Sequence, residues 1–248
     1  MASILDRYGI KEVADVTFYE IDENGRHGAP VLYLDTLKVS TIEQTAENTS
    51  ARGGKGNPEL ITWDYGKEIT VTLEDALFSA KSMAIMFGDK DGAALATSGS
   101  VLKTWISTDG KKITDFTING QTITAPTDIT YYDAEGKVIP SESALSATNI
   151  AYATGTVVTK DSVTIDINPE TFPGTYYVTG DTYARSENTG KDEFFQFVIA
   201  KAKVQSEVTL TMEAEGDPST FSMNLKVLRP KTGPMMQLIK YNIEYPQG

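Results

Sequence analysis

Short apolar stretches broken by turn residues run through most of this chain. Residues 16–21 (VTFYEI) lead into Asn24-Gly25, and a second apolar run occupies 31–39. Asn-Gly supplies the positive φ angles of a tight turn, so the two runs read as a hairpin with a few extra loop residues. Residues 100–107, 112–118 and 121–124 are separated by Asp109-Gly110 and Asn119-Gly120, and ITDFTI-NG-QTIT is the clearest two-residue hairpin. Further strands are expected at 155–158, 163–167, 175–182, 193–203, 208–213, 220–228 and 236–244, all drawing on Thr, Val, Ile and Tyr. The pattern is that of an all-β protein.

One segment keeps a different period. Ala76, Leu77, Ala80, Met83, Ala84 and Phe87 recur at helical spacing. Thr72 is placed as an N-cap, Asp75 falls at the capping-box position, Glu74 and Asp75 complement the positive helix start, and Gly88 can end the helix. This spacing predicts a helix over 73–87, its Met-containing stripe packed on a sheet rather than offered to a ligand.

Residues 45–58, TAENTSARGGKGNP, break the pattern by holding no bulky apolar side chain. A segment that buries nothing of its own reads as an ordinary surface loop.

Composition narrows the function classes. With 248 residues, 40% of them hydrophobic and 23% charged, the chain can bury a substantial core. No apolar run approaches the roughly 18 residues that span a bilayer, so no membrane partner is expected. Asp6, Arg7, Lys11 and Glu12 interrupt the opening segment, so a secretory leader is not expected either. The absence of cysteine excludes disulfides, thiol catalysis and Cys-ligated zinc, and fits a reducing compartment. A formal net charge of −12 repels nucleic acid rather than gripping it.

Candidate chemistry is sparse. The single histidine, His27, lies in the turn-like segment NGRHGAP and reads as an exposed turn residue rather than the base of a triad. Asp89-Lys90-Asp91-Gly92 resembles the start of a calcium loop, but position twelve of that loop is Ser100 instead of glutamate. Gly53-Gly54-Lys55-Gly56 lacks the Gly-Lys-Ser/Thr of a phosphate loop, and Asn48-Thr49-Ser50 matches a glycosylation sequon without a secretory signal. Glu20 with Asp22, and Glu213 with Glu215, each share a strand face as glycosidase carboxylates would, yet solvated strand faces explain both pairs. No catalytic residue, metal site or cofactor is expected, and the chain does not read as an enzyme.

Two stretches carry a resemblance. ARGGKGNPELITWDYGKEITVTLEDALFSAKSMAIMFG (51–88) and DPSTFSMNLKVLRPKTGPMMQLIKYNIEY (217–245) together resemble the tail tube, or major tail, proteins of tailed bacteriophages with long tails. The likeness is one of pattern: a Gly-rich loop, a Trp-containing strand, a strand leading into a capped helix, and a closing strand pair.

The resemblance implies an all-β sandwich or barrel with one flanking helix, at about 73–87, and a long Gly-rich assembly loop. Residues 1–95 and 166–248 then read as the β-rich core, and 96–165 as a β-rich insertion or elaboration of the same domain. It further implies six-membered rings of this chain, stacked into a hollow tube in the virion tail after synthesis in the host cytoplasm. Other tail proteins would be partners, and DNA would pass through without specific binding. The loop residues implied to touch neighbouring subunits are Glu47, Asn48, Arg52, Gly53, Gly54, Lys55, Gly56 and Asn57. Two alternatives remain open: a capsid decoration or other virion component, and a carbohydrate-binding module stacking sugars on Trp63, Trp105, Tyr131 and Tyr132.

Overall fold

The computed structural model describes residues 7–89, 95–106, 115–118, 121–124, 128–140, 149–210 and 220–242. The chain forms two compact units, one made of Met1–Ala93 with Ile165–Gly248 and the other of Ala94–Thr164.

The first unit is built on one antiparallel sheet. Its strands are β1 (Tyr8–Ile10), β2 (Asp15–Ile21), β3 (His27–Leu34), β4 (Leu37–Arg52) and β5 (Glu59–Asp75), followed by the helix α1 (Ala80–Phe87). Beyond the second unit, which holds β6 to β10, come β11 (Thr175–Ser186), β12 (Asp192–Val204), β13 (Phe221–Val227) and β14 (Met236–Tyr241). The sheet order is β3-β2-β11-β12-β13-β5-β4, with β1 added to β11 and β14 added to β12.

That order forces the sheet to curl. A flat sheet of these strands would set its two edges about 29 Å apart. Yet the edges, β3 and β4, are joined by Asp35 and Thr36 alone, a link that reaches about 11 Å at most. The sheet therefore wraps around its own interior as a barrel with an open seam. Every strand of the path contributes to the same core: Leu34, Phe18, Val178, Ile199, Leu225, Val71 and Leu37 are all buried in it, together with Ile85 and Met86 of α1. In β5 the inward positions Ile69, Val71, Leu73 and Asp75 alternate with half-buried ones, as the two-residue strand period requires.

Several expected elements shift. The run at 31–39 is two strands broken at Asp35-Thr36, and 208–210 are irregular while 211–213 lie outside the described residues. The helix keeps its predicted end, where Gly88 sits in the left-handed region at φ +96°, but begins later than Leu73. Thr72 is no cap: its hydroxyl donates to Asn224 Oδ1 at 3.0 Å, within the ladder that pairs β5 with β13. The true cap is Ser79, whose Oγ accepts from the Ser82 amide at 3.0 Å while its own amide donates to Ser82 Oγ at 2.9 Å. The segment TLED satisfied a capping pattern and a strand alternation equally. Pairing with β13 decides for the strand, and Asp75, instead of starting a helix, is buried. The hairpin at Asn24-Gly25 forms as read, with Gly25 at φ +79° and Asp22 Oδ1 accepting from the amides of Asn24 and Arg26.

The second unit contains β6 (Leu95–Ile106), β7 (Asp115–Ile118), β8 (Gln121–Thr124), β9 (Thr130–Tyr132) and β10 (Tyr152–Val163). β10 lies between β6 and β9, and β7 pairs with β8, Ile118 standing opposite Gln121; Asn119 and Gly120, the expected turn, lie outside the described residues. β10 joins the strand expected at 155–158 to the first residue of the one expected at 163–167; 164–167 are irregular. Its small core is Tyr131, Ile150 and Ala153, with Trp105, Ile129 and Ile139 packed against it.

Candidate functional site

The segment expected to be a loop at 45–58 is mostly strand. Residues 45–52 belong to β4 and pair with β5 from Glu59 onward, so the loop proper shrinks to the six residues 53–58 at a hairpin tip. The correction has a simple cause. A strand with no buried face carries no apolar alternation, and its pairing is dictated by the partner strand, here the apolar-rich β5.

At the tip, Gly54 and Gly56 hold φ +86° and Asn57 φ +51°, values that suit glycine and asparagine and strain other side chains. Two backbone bonds close the turn, from the Gly53 amide to the Pro58 carbonyl at 3.2 Å and from the Asn57 amide to the Gly54 carbonyl at 3.1 Å. The predicted residues Gly53, Gly54, Lys55, Gly56 and Asn57 are thus brought together at one point. Arg52 ends β4, while Glu47 and Asn48 stand further down, opposite Tyr65 and Asp64.

The hairpin leaves the barrel. β5 pairs with β13 only as far as Thr70, and beyond it β4 is its single partner among the described residues. From Gln44 to Arg52 the two strands project roughly 30 Å as a free ribbon. An isolated pair of strands is marginally stable in water. This one also exposes large apolar side chains: Leu60 is 62% exposed, Ile61 55%, Trp63 52% and Tyr65 53%. Reading 45–58 by itself missed these residues; the signal lay in the i, i+2, i+4 spacing of Ile61, Trp63 and Tyr65 on the returning strand.

Other candidates fall away. His27 is exposed at the start of β3, its ring 5.7 Å from those of Tyr19 and Tyr177. Asp22 builds a turn, so it is not free to act with Glu20, and Glu213 and Glu215 lie outside the described residues. Asp89 ends the helix, its amide bonded to the Ala84 carbonyl at 2.8 Å, and 90–94 lie outside the described residues. Among the described residues no group of three or more His, Cys, Asp or Glu is arranged to hold a metal ion, and no helix is long and apolar enough to cross a membrane. An open cleft of about 540 Å³ is lined by Glu12, Asp15, Asp181, Arg185 and Asp192. Its groups serve one another, for Arg185 forms a two-pronged bond to Asp192 and Asp181 accepts from Gln196 at 2.8 Å.

Of the residues considered for sugar stacking, Tyr131 is buried in the core of the second unit with Trp105 against it, and Tyr132 stacks on Tyr152 at 5.3 Å. Trp63 lies in the first unit, half exposed on β5.

No curated protein matches this chain. The model of the YomU/Tube protein family, a phage-derived family of structural tube proteins, matches residues 8–240, from β1 into β14, and the chain belongs to that family.

Proposed function

We propose that copies of this chain associate into six-membered rings that stack as the hollow tube of a phage tail, through which DNA leaves the virion. The observation that carries this reading is the free ribbon of β4 and β5. A monomer gains nothing from a projection of roughly 30 Å whose indole and phenol rings meet water. A neighbour in an assembly removes those rings from water, and the hydrophobic effect then favours association. Such a contact is heterologous, since the ribbon of one copy meets a different surface on the next, and heterologous contacts generate rings where the rotation closes and open filaments where it does not.

In this reading Glu47, Asn48, Arg52 and the tip Gly53 to Asn57 reach a neighbouring subunit, and the ends of the tube meet other tail proteins. The net charge of −12 suits a conduit, because an acidic bore repels the phosphates and lets the duplex slide. Negative-stain microscopy of the purified protein tests the proposal. Hollow tubes or six-fold rings are the expected result, and discrete monomers at every concentration would overturn it.

A further inference from the structure

We infer that one face of the ribbon, carrying Ile61, Trp63 and Tyr65, docks on a second copy of this chain, and that a bulge at Gly66 and Lys67 aims it there. The inference rests on the tube reading and names the side chains that make its contact.

Register carries the argument. In β5 the odd-numbered residues from Asp75 back to Ile69 face the barrel interior. Continued without a break, that alternation would put Tyr65, Trp63 and Ile61 on the interior side as well. It does not continue. Thr45 pairs with Glu68 and Glu47 with Tyr65, so Gly66 and Lys67 together stand against Ala46 alone. Gly66 takes φ +62°, a left-handed value that fits the extra residue of a bulge.

The partner strand shows the consequence. Val71 and Ile69 stand across from Ile42 and Gln44, even positions of β4, whereas Tyr65, Trp63 and Ile61 stand across from Glu47, Thr49 and Ala51, odd positions. A slip of one residue moves every side chain to the other face of a strand. The bulge therefore turns the three large side chains away from the side on which this chain's own core lies.

The two faces of the ribbon are not equivalent. On the face of Ser50 and Thr62, polar groups serve one another: Ser50 donates to Glu59, lies 3.4 Å from the Thr62 hydroxyl, and Arg52 approaches Glu59 at 3.9 Å. The opposite face offers Ile61, Trp63 and Tyr65 half exposed, and Trp and Tyr are the residues that dominate contact energies between proteins. Charge selects the occupant. From 48 to 58 the only charges are Arg52, which already faces Glu59, and Lys55, both positive, on a chain whose net charge is −12, so another copy of this chain attracts the Lys55 end of the ribbon.

The test measures the concentration at which the full chain forms tubes, by sedimentation and negative-stain microscopy. Trp63→Thr and Ile61→Thr keep strand propensity and sit at exposed positions. They should raise that concentration by at least about tenfold while leaving the thermal unfolding curve in place. Asp64→Thr, which stands across from Asn48 on the opposite face, should change it by less than about twofold. Deletion of Lys67 removes the bulge, and a folded protein that no longer assembles is expected; should that variant not fold, Trp63→Thr decides alone. Trp63→Thr assembling at the wild-type concentration, or equal damage from both faces, overturns the face assignment while wild-type tubes leave the tube reading standing. Wild-type protein that stays monomeric overturns both. Assembly that requires added duplex DNA would make the occupant a nucleic acid and overturn this inference as well.

Discussion

Thr36 donates its hydroxyl proton to the carboxylate of Asp75 at 2.5 Å, joining residues 39 apart in sequence at the seam of the barrel. Thr36 lies in the two-residue link between the opposite edges β3 and β4, and Asp75 ends β5. The same link takes the Ala76 amide on the Thr36 carbonyl at 3.2 Å, and Asp75 also accepts from the Leu77 amide at 3.2 Å. One buried carboxylate thus holds the link between β3 and β4 against the end of β5 and turns the chain toward α1.

Thr36→Val keeps the shape of the side chain and removes the donor. It should lower stability by about 1–3 kcal/mol, because Asp75 would stay buried with one partner fewer. The midpoint of denaturant unfolding should move while its slope stays constant. A wild-type midpoint would mean that the link is held by its other contacts.

The helix offers a comparison between faces. Ile85 is fully buried in the main core, Phe87 is half-buried and Lys81 is exposed. Ile85→Ala should cost about 2–5 kcal/mol, Phe87→Ala less than Ile85→Ala, and Lys81→Ala no more than about 0.5 kcal/mol. Equal, small losses at Ile85 and Lys81 in thermal unfolding would contradict the burial of this face.

What the sequence made legible follows from how local each determinant is. The turn at Asn24-Gly25 and the stop at Gly88 need only φ values that those residues favour, and both are found as read. The helix start is not local: Thr72 is claimed by Asn224, 152 residues away, and no window around Thr72 contains that information. The closure of the barrel follows from strand order, which short-range pattern does not encode. For the ribbon, the glycines and Asn57 were singled out because turns need them. The apolar contact face was hidden, since its meaning depends on a bulge that appears only once Gly66 and Lys67 are set against Ala46.

Shortening the ribbon should separate folding from assembly. All of residues 48–57 are exposed or half-buried, and none belongs to the main core. Deleting Asn48 to Asn57 should leave a folded monomer with a melting temperature within a few degrees of wild type, and no tubes. Calorimetry and microscopy on the same sample give both readouts. Tubes of normal length would show that the tip makes no essential contact.

Acid should weaken one surface pair in a defined direction. The Arg185 guanidinium, bonded through two nitrogens at 2.7 Å each, holds the Asp192 carboxyl below the ordinary carboxylate range, against a smaller opposing effect of desolvation. A carboxyl lowered in the folded state contributes stability that is full above the ordinary value near 3.9 and is lost as pH falls through the lowered one. Both groups are exposed, so the contribution is modest and shrinks with salt. The Asp192 carboxyl resonance should titrate below the ordinary aspartate value in wild type and closer to it in Arg185→Gln. A resonance titrating at the ordinary value in wild type would remove the pair from the stability of the β11–β12 ladder.

The proposed passage of DNA makes the last demand. A conduit must present more acid than base to the duplex, because a groove of clustered Lys and Arg would hold phosphate and stall it. The chain meets the first condition in total, with 34 acidic against 22 basic residues, but total charge does not say which face carries them. Isolated protein should show no measurable duplex binding near physiological salt, where non-specific binders reach Kd of about 10⁻⁴–10⁻⁶ M. Lys55 at the ribbon tip is a local exception within the described residues, and Lys111 and Lys112 lie outside them. If the ribbon crosses to a neighbour, Lys55 meets that subunit's acidic surface and not the bore, so Lys55→Glu should impair assembly without creating or removing DNA affinity. A titration across salt tests the isolated chain, and a map of charges inside an assembled tube tests the bore. Micromolar binding that weakens steeply with salt, or a bore lined by lysines, would remove the sliding conduit even if tubes form. A protein that neither binds DNA nor forms tubes would point instead to a virion component outside the tube, so the bore map decides what a negative titration alone leaves shared between them.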